Sequence, residues 1–259
     1  MEETFIIVLP PYYHDRAKTL GRRAAGQPAT TYTPQGPSLT PEEQFPLQTV
    51  GAGRGQDRQF PRFINHFNSP EMLLIVDGSC LNNGNKEVAP EGGSSFVSKD
   101  PACASAKPVV TFPFPSTTGV TNDAGAIVAF PLEQEGPTGD VVDHTSNRAK
   151  LRAAIAALQF RPWAGEGCHR VVILTNLEYV ALGATKWLPV WVKRRWKKRA
   201  RGVRGAKGRG CEVSFWLIKS QDARESRFIS DAKDAARRAA REKDGVQVEK
   251  FSEFCGIML

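Results

Sequence analysis

Long apolar runs are missing from this 259-residue sequence. The FIIVL run at residues 5–9 is far too short to cross a bilayer, which needs about 20 apolar residues. Met1-Glu2-Glu3 ahead of it is acidic where a signal peptide would be basic. Cysteine is scarce: Cys80, Cys103, Cys168, Cys211 and Cys255 are odd in number, scattered, and form no C-x-x-C pair. That excludes the usual zinc spacings and a disulfide framework, and it suits a reducing compartment. Cys255 stands fifth from the end, so the tail is not a prenylation box. The chain therefore reads as soluble and intracellular, nuclear or cytoplasmic.

Residues 10–65 lack both branched apolar clusters and any sustained period, and are rich in Pro, Gly, Gln and Thr. Such composition predicts a largely disordered arm over residues 1–70. A folded domain is expected at 71–245, followed by a tail at 246–259.

Acid is missing from residues 186–210, which hold eleven Lys or Arg. This local run explains much of the formal net charge of +8, and a basic surface favours a polyanionic partner. A charge run is usually a solvated face. Here Trp187, Trp191 and Trp196 sit among Lys186, Lys193, Arg194, Arg195, Lys197 and Lys198, and aromatics beside cations suit phosphates and sugars. Trp187 and Trp191 are four apart, a spacing that fits one helix face, whether a groove or a core stripe.

The strongest strand signals are MLLIV at 72–76 and VVILT at 171–175, both apolar on both faces. The first delivers Asp77 and the second Asn176. Further strands are expected near 92–97, 127–132 and 211–218. Leu151, Ile155 and Leu158 predict an amphipathic helix with Ser146 as its N-cap, and Gly183 is expected to break the helical pattern that starts at Leu177.

Three stretches together carry a family resemblance. Asp77-Gly78-Ser79-Cys80-Leu81-Asn82-Asn83-Gly84 resembles the D-G-x-C-x-N-N-G opening of fungal ribonuclease H-like proteins. Thr145-Ser146-Asn147-Arg148-Ala149-Lys150-Leu151 is similar to a helix that begins T-x-N-R-A-E-L in that family. The G-x-T-x-W-x-x-x-W-x-x-x-x-W-K run at Gly183–Lys197, behind Thr175-Asn176-Leu177, resembles the T-D-S strand end and basic protrusion of type 1 ribonuclease H. The resemblance implies an α/β fold with a five-stranded mixed sheet flanked by helices. Strands one to three would be antiparallel, with four and five beside strand one. One family helix, between the protrusion and the last strand, is expected to be missing.

By the same resemblance, Asp77 matches the first of four metal-binding carboxylates, while Lys150 and Asn176 stand where two others would be. The fourth falls on Ile229 or, by a second matching, on Arg227, with Asp231 nearby; Glu178 is a possible substitute acid. Asn83, Thr145, Ser146 and Asn147 match positions that contact the hybrid's minor groove or a phosphate. Tyr179, Trp187 and Trp191 match a channel for the DNA strand, and Lys193, Arg194, Arg195, Lys197 and Lys198 the protrusion. As plain residues, all of these would be turn formers, caps, core or solvated charge.

The family's chemistry uses two Mg²⁺ ions to activate water and stabilise the leaving oxygen, and Mg²⁺ needs hard anionic oxygens. Here the matched positions sum to about zero charge, with Asp77 alone as a metal ligand. The expectation is a domain that binds RNA–DNA hybrid or double-stranded RNA by shape, without efficient cleavage and without productive Mg²⁺. A protein-interaction or vestigial domain, and a residual hybrid nuclease, are the alternatives.

Overall fold

The computed structural model describes residues 29–51, 59–85, 87–100, 121–123, 126–136, 139–161, 163–193, 211–219, 221–222 and 226–241. Along the chain come β1 (Thr30–Thr31), α1 (Pro41–Gln44), β2 (Leu47–Gly51), β3 (Gln59–Phe63), β4 (Glu71–Leu81) and β5 (Glu91–Val97). Then follow β6 (Thr121–Asp123), β7 (Ile127–Pro131), α2 (Ser146–Phe160), β8 (Arg170–Thr175), α3 (Glu178–Leu182), α4 (Leu188–Lys193), β9 (Glu212–Leu217) and α5 (Arg227–Arg241).

Seven strands form one mixed sheet in the order β1-β9-β8-β4-β5-β7-β6. The expected five are its middle. β4, β5 and β7 pair antiparallel, and β8 and β9 join β4 in parallel. The difference lies at the edges, where the short β1 and β6 add to β9 and β7.

Alternation along β4 builds two cores. Met72, Leu74 and Val76 pack with α2, whereas Leu73 and Ile75 pack with α5 on the opposite face. Both helices come close because small residues line the contact. A Cβ on Gly78 would lie 2.4 Å from the backbone of Ala149 and Lys150, and one on Gly93 would lie 2.2 Å from the Ala236 carbonyl oxygen. Ser94 adds a hydroxyl bond to the Ala149 carbonyl at 2.8 Å. The buried stripe of α5 is Phe228, Ile229, Ala232, Ala235, Ala236, Ala239 and Ala240, spaced as one helix face.

The expected disordered arm is corrected by this fold from residue 29 onward. Tyr32, Phe45 and Phe63 are buried in the second core. Tyr32 and Phe45 ring Trp216 at 5.3 and 6.0 Å, and Phe63 meets Phe228 at 4.3 Å. Arg62 of β3 holds Glu166, at 2.8 Å and buried on both sides. Glu42 caps α5 by accepting from the Ser226 hydroxyl and the Phe228 amide. Residues 1–28, the tail at 246–259, and the site of the expected helix loss at 194–210 lie outside the described residues.

Two local expectations are also corrected. Thr145, not Ser146, is the N-cap of α2, accepting from the Arg148 amide at 3.1 Å; Ser146 is the first helical residue. Gly183 does not break its helix. It is right-handed helical and opens a π-helical turn, Gly183–Trp187, that joins α3 to α4. No helix among the described residues is long and apolar enough to cross a membrane.

Candidate functional site

Three elements converge where β4, α2 and the end of β8 meet. Asp77, 1% exposed, projects from β4. Its Oδ1 accepts from the Gly78 amide at 2.8 Å and from Lys150 Nζ at 2.9 Å. The same ammonium donates to Asn176 Oδ1 at 2.6 Å. An ammonium only donates, so the carbonyl end of Asn176 has to face it, and the carboxamide Nδ2 is left to donate. Asn176 stands one residue beyond β8, where Thr175 Oγ1 accepts from the Leu177 amide and turns the chain into α3.

This placement follows from the packing of α2. Gly78 lets the α2 backbone touch β4 at Lys150 itself. Ser94 and the Thr145 cap fix the first turns. Just upstream, the buried His144 accepts from the Gly92 amide at 2.9 Å and takes the Cys80 thiol on its carbonyl at 3.4 Å. The D-G-x-C stretch was legible as a motif. The positioning duties of Gly78, Cys80, Ser94 and His144 were not, because each acts across a long sequence separation.

The remaining matched residues divide. Asn83 is exposed in the turn after β4, beside Asn82 in the left-handed region at φ 57°. Thr145 spends its hydroxyl on capping, Ser146 is half-buried and Asn147 is exposed. Glu178 is exposed in the first turn of α3. Neither choice for a fourth position is acidic: Ile229 is buried in the second core, and Arg227 pairs with Asp100 at 3.1 Å and Asp231 at 3.6 Å. Burial, with Asp100 and Asp234 nearby, raises the Asp231 carboxyl above its ordinary range, against the pull of Arg227.

Tyr179, Trp187 and Trp191 form a ladder. Tyr179 meets Trp187 edge-on at 5.6 Å, and Trp187 lies 6.1 Å from Trp191. Eight residues at about 100° each would leave Tyr179 and Trp187 about 80° apart on a plain α-helix. The π turn absorbs one extra residue and brings them to about 20°. Trp187 is 36% exposed, so it is not a core side chain. Lys186 is exposed beside it. Lys193 ends α4; Arg194, Arg195, Lys197 and Lys198 lie outside the described residues.

No family model matches the chain. Curated relatives do. The ribonuclease H of Cyanothece sp. (strain PCC 7425 / ATCC 29141) is 47% identical over 53 residues, 20% of this chain and 32% of the relative. That of Hahella chejuensis (strain KCTC 2396) is 36% identical over 73 residues, 28% of this chain and 47% of the relative. The chain thus spans between about a third and a half of the length of these curated relatives. Among solved structures, LC9-RNase H1, described as a type 1 RNase H with the type 2 active-site motif, covers 65% of this chain and 72% of its own. The TM-score is 0.39 and the identity 22%. The chain carries a ribonuclease H-like domain of mixed α/β fold.

The Mg²⁺ that this resemblance implies does not fit the residues present. Magnesium is held by carboxylate and other hard oxygens in near-octahedral order. The convergent trio offers one carboxylate, already on an ammonium, and one carboxamide oxygen on the same ammonium. Among the described residues no group of three or more His, Cys, Asp or Glu could hold a metal ion.

Proposed function

We propose that this domain binds nucleic acid, preferring RNA–DNA hybrid or double-stranded RNA, and does not cut it efficiently. The observation that carries the reading is the trio itself: Asp77, Lys150 and Asn176, at positions where the resemblance implies three acids, sum to about zero charge. Two-metal hydrolysis needs a strongly anionic centre to hold its ions. A neutral centre instead tolerates a phosphate without metal, since it does not repel the backbone.

The exposed Trp187, flanked by Tyr179 edge-on and by the tilted ring of Trp191, offers an aromatic surface of the kind on which sugars and bases pack. The basic run after Lys186 supplies the sequence-independent attraction to phosphates. A-form geometry would then be read by shape in the minor groove, from the side of Asn83 and Asn147.

The test is a salt-titrated binding assay against hybrid, duplex RNA and duplex DNA, run beside a cleavage assay with Mg²⁺ and Mn²⁺. Salt-dependent binding without products is expected. Neutralising Lys193, Arg194, Arg195, Lys197 and Lys198 together should flatten the log–log salt slope, which counts about 0.9 counterions per phosphate on duplex DNA. Cleavage that Asp77→Asn abolishes would overturn the inactive reading. An unchanged slope would turn the basic run into mere solvated surface and favour an interaction domain.

A further inference from the structure

We infer that Lys150 is the resident cation of this centre, so that its ammonium stands in for divalent ions and makes phosphate engagement there independent of metal. The inference rests on the nucleic-acid reading only for its ligand, the non-bridging oxygens of a phosphodiester; the exclusion of metal rests on geometry alone.

An ammonium has three donors. Among the described residues two are used, on Asp77 Oδ1 at 2.9 Å and Asn176 Oδ1 at 2.6 Å, which ties β4, α2 and the end of β8 through one atom. The lysine cannot swing out cheaply. Its side chain is 15% exposed and that of Asp77 2% exposed, so leaving would strand a buried carboxylate. Its backbone is also pinned, because Gly78 lets α2 press on β4 at Ala149 and Lys150, and Ser94 holds the Ala149 carbonyl. A divalent ion entering beside Asp77 would meet one carboxylate, whose Oδ1 is taken, and a positive charge 2.9 Å from that oxygen. Mg²⁺ sheds water reluctantly and asks for more anionic oxygen than this.

What remains is a donor surface. The third N–H of Lys150 and the Nδ2 of the half-buried Asn176 both suit an anionic oxygen, and a charge-assisted bond to phosphate is the stronger kind. No covalent step is involved. The centre receives a phosphate and leaves it whole.

The test separates metal exclusion from nucleic-acid binding. Mn²⁺ is titrated into the protein while the amide resonance of Gly78, bonded to Asp77, is followed by NMR. In the parent that resonance should not broaden selectively. Lys150→Glu combined with Asn176→Asp should broaden it selectively. Lys150→Gln, which keeps a polar head and removes the charge, covers the case in which the double variant fails to fold, and should broaden it at higher Mn²⁺. Selective broadening in the parent that Asp77→Asn removes would overturn the inference. So would a folded Lys150→Gln that still takes up no Mn²⁺, since Lys150 would then not be what keeps ions out. In the second arm, hybrid binding in EDTA and in Mg²⁺ at matched ionic strength should agree within twofold, and binding that needs the divalent ion would overturn it. If no nucleic acid binds under any condition, the proposed function falls while the Mn²⁺ titration still decides the cation question.

Discussion

The Asp77–Lys150 pair is unequal, and the inequality predicts which loss hurts more. The Asp77 side chain is 2% exposed and that of Lys150 15%. Lys150→Met leaves a buried carboxylate that has, among the described residues, the Gly78 amide and no counter-charge, and should cost about 3–5 kcal/mol. Asp77→Asn leaves an ammonium that can reach water and still bonds Asn176, so its cost should be clearly smaller. The double variant Asp77→Asn with Lys150→Met should recover part of the loss. Urea midpoints around this cycle measure the coupling. Equal single losses that add without coupling would mean the pair is not a unit. Sequence matching brought these two residues and Asn176 to the same centre, since a β-branched strand end and a helix start are local signals. The bridging geometry was not legible, because it depends on the close approach of α2 to β4 at Gly78, where a Cβ would lie 2.4 Å from the Ala149 and Lys150 backbone.

At the scale of elements, the buried strands 72–76 and 171–175 were read from apolar continuity, and the helix over 151–158 from its spacing. The helix after Asn176 was misread at Gly183, because a glycine inside a helix costs only about 1 kcal/mol against alanine and tertiary context overrides it. Its π turn is what aligns Tyr179 with Trp187, so the ladder was half visible in sequence. The ladder also gives a clean contrast between two tryptophans. Trp187 is 36% exposed, whereas Trp163 is 4% exposed and donates its indole N–H to the Ala157 carbonyl at 2.9 Å. Trp187→Ala should weaken hybrid binding by about 1–3 kcal/mol, the range for a stacking platform, with little change in melting temperature. Trp163→Ala should cost about 3–5 kcal/mol of stability. A Trp187→Ala protein that melts far lower but binds as tightly as the parent would make that residue structural.

For the molecule as a whole, alkaline pH probes how tightly the two cores close. Burial pushes the Cys168 and Cys211 thiols from the ordinary 9.0 up to about 12, and the Tyr32 phenol from 10.0 up to about 12. Each group keeps its proton longer folded than unfolded. Their contribution to stability is therefore whole below about pH 9 and is lost as pH rises toward 12, where the folded groups also ionise. Urea midpoints should fall across that window, and less steeply in Cys168→Ala, which removes one of the three titrations. A slope unchanged by that substitution would mean the thiol is not shielded.

The N-terminal segment decides where the domain begins. Its composition predicts disorder, yet from residue 29 it supplies an edge strand on β9, a buried hairpin partner for Glu166, and three aromatics to the second core. Sequence reading missed this because Tyr32, Phe45 and Phe63 fall 13 and 18 residues apart, too widely spaced to build a hydrophobic period within one element, among Pro and Gly residues. Their burial comes from docking onto Trp216 and Phe228, far along the chain. Phe45 is fully buried, so Phe45→Ala should cost about 3–5 kcal/mol, as for a core aromatic. A disordered arm would give the shift of an ordinary surface change, within about 0.5 kcal/mol. Glu42→Gln is the companion change. Its Oε1 accepts from the Ser226 hydroxyl and the Phe228 amide at the start of α5, so weakening it should cost about 0.5–2 kcal/mol, the range for a lost helix cap. Two urea midpoints near the parent's would place the folded boundary back at residue 71 and detach the segment from the domain.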